Sequence, residues 1–230
     1  MRRKDDHSIV TQADIRIQDY LVKKISARFP SFTFIGEETP AGRDVLAPDK
    51  IAVIIDPIDG TAMYSMHMPI WCVSIGIFFG FIPVYGFVYS PGCGMMFHSD
   101  DENAWLNGNR LCVDHNMDID NETNIFYSSE IRDVNINFIG KARNLGSTAL
   151  HACLTTDNMR NRTLAFIGKS YLWDWAGAIP VMEKAGVKIC YIDGRNLDYA
   201  AIIENGYEFE DYAVAYTCSD YETIRAILSR

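Results

Sequence analysis

Along the chain the spacing of apolar residues switches repeatedly between helical and strand-like. Between residues 11 and 29, Ala13, Ile17, Leu21 and Ile25 recur at four-residue steps with Tyr20 beside them, which predicts a helix. Thr11 suits its N-cap and Asp14 its first turn, and Pro30 closes it. Residues 32–35 read as a strand ending in Gly36-Glu37-Glu38, and residues 39–50 as a polar loop with two prolines. The β-branched run Ile51-Ala52-Val53-Ile54-Ile55 predicts a buried strand. It leads straight into Asp56-Pro57-Ile58-Asp59-Gly60-Thr61, read as a proline-held bend between two carboxylates and then a turn into a helix.

Residues 71–79 and 84–89 predict a hairpin, residues 95–98 a further strand, and residues 105–111 a tight Asn107-Gly108 turn. The acidic, polar stretch 114–123 reads as a surface linker. It divides the chain into an N-terminal α+β half, 1–120, and a C-terminal α/β half, 121–230. In the second half the pattern predicts a strand at 125–128 and helices at 131–139 and 147–154. A strand at 163–167 and a helix at 173–185 follow, the helix kinked at Pro180 and stopped by Gly186. A strand at 187–191 comes next, and Ser219 with Glu222 reads as a capping box opening the last helix.

Composition narrows the function. With 21 basic and 30 acidic residues the net charge is −9, which disfavours a nucleic acid polymer as partner but not a small anion, because a bound metal reverses the local sign. The six cysteines are scattered without a C-x-x-C pair, which argues against a zinc ribbon and for reduced thiols in a cytoplasmic protein. The charged first residues precede no apolar signal core, and the apolar region 70–89 is broken by Ser74, Gly76, Gly80, Pro83 and Gly86. It therefore reads as paired strands and predicts no membrane span. The five histidines, His7 among them, lack ligand spacing and read as surface or core residues. Met63, Met66 and Met68 read as core packing around Tyr64 and Trp71.

The candidate chemistry lies in acidic clusters. Taken singly, Glu38 reads as solvated surface, Asp174 as a helix-capping residue and Asp14 as a first-turn residue. Asp56 and Asp59 differ, because a carboxylate held against an apolar strand needs a partner and a hard divalent cation is a good one. Thr61 suits a helix cap, a role compatible with orienting a water. Free N–H groups at a glycine-opened helix start favour phosphate.

Together these pieces carry a resemblance. Val10-Thr11-Gln12-Ala13-Asp14, Phe34-Ile35-Gly36-Glu37-Glu38, Asp56-Pro57-Ile58-Asp59-Gly60-Thr61 and Val73-Ser74-Ile75-Gly76 occur in this order. Gly146-Ser147-Thr148-Ala149 and Trp173-Asp174-Trp175-Ala176-Gly177 complete the set. In this the chain resembles the inositol monophosphatase family of lithium-sensitive, Mg²⁺-dependent phosphatases, from about residue 4 to its end. The resemblance implies an α/β (α+β) fold, a layered αβαβα sandwich of the sugar-phosphatase type, with two to three Mg²⁺ ions. Glu37, Asp56 and the Ile58 carbonyl would hold the first ion, and Asp56, Asp59 and Asp174 the second. A weaker third would sit near Glu37. The N–H groups of Gly60 and Thr61 would receive phosphate. Asp14 and Thr61 would relay a proton near the attacking water, with Glu37 also catalytic. Ser147, Thr148 and Lys169 would meet the substrate. The resemblance further implies a homodimer.

Two departures from the family pattern stand out. Its longer first helix is missing here, Met1 lying thirteen residues before Asp14, and its mobile basic loop is reduced to Arg2-Arg3-Lys4-Asp5-Asp6. Inositol-specific relatives carry a glutamate seven residues before the W-D aspartate, and Ile167 holds that place here, with Lys169 nearby to meet a second anionic group. The expected function is hydrolysis of a small phosphomonoester, inositol monophosphate by default. Alternatives are 3′-phosphoadenosine 5′-phosphate, fructose 1,6-bisphosphate, histidinol phosphate, or a catalytically silent metabolite-binding relative. Ala62-Met63-Tyr64 after Thr61 is nearer the inositol-phosphatase pattern than the phosphoadenosine one.

Overall fold

A computed structural model of the protein describes residues 2–3, 9–38 and 46–229. The expectations placed on residues 4–6, on His7 and on the 39–45 part of the polar loop lie outside the described residues. Strand β1 (Arg2–Arg3) pairs with β2 (Ile9–Val10) just before helix α1 (Gln12–Arg28). Thr11 and Asp14 form a capping box at the start of α1, the Thr11 side chain accepting from Ala13 and Asp14 Oδ2 accepting the Thr11 N–H at 2.8 Å. The apolar stripe of α1 is only half-buried. The two residues it buries fully are polar, Asp14 and Gln18. Each is turned toward the functional end of the neighbouring strands.

Those strands form a seven-stranded sheet. Its members are β3 (Thr33–Gly36), β4 (Ile51–Asp59), β5 (Cys72–Phe79), β6 (Ile82–Ser90), β7 (Met95–Ser99), β8 (Ala104–Leu106) and β9 (Asn109–Leu111), in that spatial order. Only β3 and β4 run parallel; the other pairs are antiparallel. Asn107 and Gly108 both have positive φ, 51° and 79°, as the two-residue turn between β8 and β9 requires. Helix α2 (Thr61–Ser65) leaves the end of β4.

The smaller sheet has five strands. The second half of the chain forms β10 (Asn124–Tyr127), β11 (Asn135–Ile136), β12 (Lys141–Arg143), β13 (Thr163–Gly168), β14 (Lys188–Tyr191), β15 (Ala213–Tyr216) and β16 (Leu228–Ser229). The sheet order is β12-β10-β13-β15-β14, and β11 pairs separately with β16. The accompanying helices are α3 (Thr148–Leu154), α4 (Asn158–Asn161), α5 (Leu172–Ala176), α6 (Ala178–Ala185), α7 (Tyr199–Glu204) and α8 (Tyr221–Ile227).

Helix α1 packs on β4, helices α3, α5 and α6 fill the space between the two sheets, and α8 covers the far side of the smaller one. This is an αβαβα sandwich. The main core joins Phe78, Val88 and Phe97 of the large sheet through Trp175, Ile179 and Met182 of the middle helices to Phe126 and Phe166 of the small sheet. A second cluster under α8 contains Ile125, Ala165, Ile167, Val214 and Ile224. Because side chains alternate along a strand, Phe166 faces the middle layer and Ile167 the outer one. Among the described residues no helix is long and apolar enough to cross a membrane, and all six cysteines are free thiols.

Several local expectations are corrected. Residues 131–139 are extended, not helical. Val134, Ile136 and Phe138 alternate with period two and pack on the outer cluster, and Asn135–Ile136 pairs with β16. The segment 173–185 is two helices broken at Gly177, not one kinked at Pro180. A Cβ at Gly177 would lie 2.7 Å from both the Phe87 carbonyl and Ser74 Oγ, so close packing on the sheet sets the break. Pro180 falls in the first turn of α6, where no N–H is required. The last helix is capped by Asp220, which accepts from Thr223, and not by Ser219. Met66 and Met68 are largely exposed rather than core, whereas Met63 packs under Gly146. Strand β4 continues through Asp59, so the two carboxylates flank a strand bulge rather than a bend, while the turn into a helix falls at Gly60-Thr61 as expected.

Candidate active site

The bulge in β4 explains how its two carboxylates meet. In a regular strand, residues three apart point to opposite faces. Here Asp56 pairs with Ser74 and Asp59 with Cys72, so three steps on β4 match two on β5. Pro57, which has no N–H to offer the ladder, sits at this irregularity. The extra residue brings Asp59 to the side of Asp56, and the Ile58 N–H donates to Asp56 Oδ1 at 2.9 Å. Parallel pairing of β3 with β4 sets Gly36 opposite Ile55, and the Glu37 N–H donates to the Ile55 carbonyl at 3.1 Å. Glu37 therefore leaves its strand beside Asp56.

Asp174 comes from the opposite side. It is in the first turn of α5, where it accepts the Tyr171 N–H at 3.0 Å, so it does cap its helix. It also converges with Asp56 and Asp59, each of the three offering an oxygen within 4.8 Å of the others. All three carboxyls are pushed toward the neutral form. Asp56 is raised well above the usual carboxylate range by burial and by the charges of Glu37, Asp59 and Asp174. Asp174 is raised to about 7 by burial and by Asp59. Asp59 is raised to about 6 by burial, partly offset by the hydrogen bonds it accepts. Those bonds tie it to α3: Oδ2 accepts from Ala149 N at 2.8 Å and from Ser147 Oγ, and Oδ1 from Thr148 N at 3.1 Å. Cys72 Sγ lies 3.6 Å from the same carboxylate. Asp59 thus locks the end of β4 to a helix N-terminus, where the dipole favours its charge.

Gly60 has φ +93°, and a Cβ there would lie 3.0 Å from the Gly146 carbonyl, so glycine is required on both counts. It starts α2 with no side-chain cap. Thr61 does not cap that helix. Its hydroxyl stands 2.9 Å from the Ile58 carbonyl and 3.3 Å from Asp14 Oδ1. Asp14 is fully buried, its Oδ2 accepting from Thr11 Oγ1 at 2.5 Å. On the same side Gln18 Oε1 accepts the Glu38 N–H at 3.0 Å, so Glu38 is half-buried rather than solvated surface.

A cleft of about 400 Å³ opens on this cluster, lined by Glu37, Asp59, Gly60, Thr61, Ser147, Thr148 and Asp174 among others. Its lining also includes Ser128, Ser129, Glu130, Asn144, His151 and Ser170, the last hydrogen-bonded to Asp174. None of these six stands out for chemistry in the sequence, since isolated polar residues on a helix or strand end carry no spacing signal. Lys169 does not line the cleft; its amine donates to the Glu210 carbonyl at 3.0 Å. Ile167 is buried in the outer cluster, away from it. Among the described residues no Lys or Arg lines the cleft. Buried carboxylate oxygens with no cationic side chain beside them are the donor set a hard divalent cation such as Mg²⁺ takes, so the residues present fit that ion.

The profile of the inositol monophosphatase family matches residues 2–217. Inositol monophosphatase 1 of Solanum lycopersicum is 31% identical over 210 residues, covering 85% of this chain and 76% of the relative. A staphylococcal inositol monophosphatase-1 soaked with LiCl as an inhibitory complex superposes with a TM-score of 0.82 at 20% identity, over 98% of this chain and 84% of that one. An IMPase/NADP phosphatase complexed with Mg²⁺ and phosphate superposes with a TM-score of 0.80 at 19% identity, again over 98% and 84%.

Proposed function

The chain belongs to the inositol monophosphatase family, and on that premise we propose that it is a Mg²⁺-dependent phosphoric monoester hydrolase acting on a small metabolite with a single phosphate, inositol monophosphate by default. The observation that carries the reading is the convergence of Asp56 with Asp59 and Asp174, the latter two lining a cleft without a cationic side chain among the described residues. Glu37, Asp56 and the Ile58 carbonyl would hold one ion, Asp56, Asp59 and Asp174 a second, and the Glu37 side a third. Bound there, Mg²⁺ supplies Lewis acidity toward water and toward the phosphoryl oxygens.

The chain's own groups do the rest. The backbone N–H groups of Gly60 and Thr61 receive the phosphate. The Thr61 hydroxyl orients the attacking water and passes its proton toward Asp14, whose Oδ1 lies 3.3 Å away. Asp59, held by α3, keeps Ser147 and Thr148 at the wall where the leaving group sits. Lys169, engaged by Glu210, takes no part. A second phosphate on the substrate would meet Glu130 and no Lys or Arg among the lining residues, which favours one phosphate on a neutral alcohol over the bisphosphate alternatives.

Six free thiols support a cytoplasmic location, and the exposed apolar residues Phe79, Ile82 and Tyr89 support a homodimer. The test is phosphate release from a panel of phosphomonoesters at millimolar Mg²⁺. Release that stops with chelator and is inhibited by Li⁺ is expected. No release from any member of the panel points to a silent binding relative instead.

A further inference from the structure

We propose that His151 and Ser128 form a reading subsite for the leaving alcohol, in which the His151 Nδ1–H and the Ser128 hydroxyl engage a hydroxyl group of the substrate. The inference rests on the phosphatase reading above and deepens it.

His151 lies on α3, one turn beyond the Ser147 that bonds Asp59. Its ring stands between Phe126 and Phe166, with centroids 5.3 and 5.2 Å away, and the residue is 1% exposed. The Leu145 N–H points at Nε2 from 2.7 Å. A backbone N–H can only donate, so Nε2 carries a lone pair and the ring proton sits on Nδ1. Burial lowers the imidazole pKa to about 3, so the ring is neutral at any working pH.

Among the described residues Nδ1 has no hydrogen-bond partner, and neither has Ser128 Oγ, on a residue 3% exposed. A buried donor left unpaired destabilises the fold, and native chains keep few of them. These two belong to residues that line one and the same cleft, the one holding Asp59 and Asp174. Gly168 leaves room beside Ser128, since a Cβ there would lie 2.8 Å from the Phe166 ring and 3.3 Å from Ser128 Cβ. A neutral donor and a hydroxyl lining one cleft together with Glu130 suit an uncharged hydroxyl-bearing leaving group and not a second anion. A site built to hydrogen-bond a hydroxyl discriminates against analogues that lack it.

The test compares kcat/KM for inositol 1-phosphate and for phenyl phosphate, whose leaving group bears no further hydroxyl. His151→Gln keeps an acceptor for the Leu145 N–H but puts no donor at the Nδ1 position. His151→Asn does the reverse. Ser128→Ala removes the second group with minimal disturbance. For inositol 1-phosphate, His151→Gln and Ser128→Ala should each lose about tenfold, with phenyl phosphate changed less than about twofold and His151→Asn retaining the preference. Equal losses on both substrates would make the pair merely structural, and no loss on either would show that substrate never reaches it; both results overturn the proposal. Should His151→Gln fail to fold, Ser128→Ala decides alone. If the unaltered enzyme releases phosphate from neither substrate, the phosphatase reading itself falls and the subsite with it; release from both with no preference overturns the subsite only.

Discussion

Stripping Mg²⁺ from this protein should make its stability fall as pH rises, an unusual slope with a specific origin. Asp59 and Asp174 are raised from the ordinary 3.8 to about 6 and about 7 in the folded chain, and Asp56 is raised further by burial and its three acidic neighbours. A carboxyl whose folded pKa is raised binds its proton more tightly folded than unfolded. The folded state is then favoured fully below the unfolded pKa, near 4, and loses that advantage as pH rises through the folded values, from about 6 to 7 and beyond. At about 1.4 kcal/mol per pH unit, Asp59 alone accounts for roughly 3 kcal/mol and Asp174 for roughly 4. The groups share their mutual repulsion, so about 5 kcal/mol is a reasonable figure for the pair. Part of that is already lost between pH 4 and pH 5, which leaves about 3 kcal/mol, a fall in Tm on the order of 10 °C for a chain of this size, between about pH 5 and pH 8. Saturating Mg²⁺ should remove it, because the ion takes the place of the protons. The assay is calorimetric melting with chelator and with Mg²⁺ across that pH range, read as the Mg²⁺-induced rise in Tm, which cancels titration elsewhere. Asp174→Asn should raise the metal-free Tm near pH 8 while abolishing turnover. A Mg²⁺-induced rise that is constant with pH, or larger at pH 5, would refute the reasoning.

Three further expectations follow from single contacts. Asp56→Asn, which removes a ligand common to two ions in the proposed site, should cut phosphate release at saturating Mg²⁺ by ~10³-fold, about 4 kcal/mol of barrier; near-normal turnover would sink the mechanism. Thr61→Ala should lower kcat by about a hundredfold with little change in KM, while Thr61→Ser, which keeps the hydroxyl facing Asp14, should retain most activity. Gly86→Ala would set a Cβ 2.0 Å from the Gly177 carbonyl, so it should destabilise by about 3 kcal/mol and lower Tm by roughly 10 °C without a substrate-specific effect.

Much of the molecule is legible in residue order because the relevant physics is local. The β-branched run 51–55 can only be a buried strand, the capping box of Thr11 and Asp14 starts a helix wherever it occurs, and Asn107-Gly108 supplies the two positive φ angles of a tight hairpin. Carboxylates beside apolar strands announce a cation, whatever the fold around them. Local rules fail where packing competes with them. Residues 131–139 were open to a helical reading until the outer cluster and β16 claimed their period-two apolar side. Pro180 is the stronger helix breaker, yet the break falls at Gly177, because only a residue without Cβ fits against Phe87 and Ser74.

The site divides in the same way. Residue order marked Asp56 and Asp59 as a cation-seeking pair and Gly60-Thr61 as a phosphate turn, while Glu37 and the reaction entered through the family resemblance. Convergence was a matter for the assembled chain. A bulge at Pro57 turns Asp59 to the side of Asp56, parallel pairing of two strands delivers Glu37, and packing of α5 against the large sheet brings in Asp174. The proposed subsite is more extreme. His151 and Ser128 carry no spacing signal of their own, because what distinguishes them is a missing hydrogen-bond partner among the described residues, and that is a property of surroundings assembled from distant segments. Backbone preference and hydrophobic period are written residue by residue, whereas which polar groups end up buried together depends on how the layers close over one another.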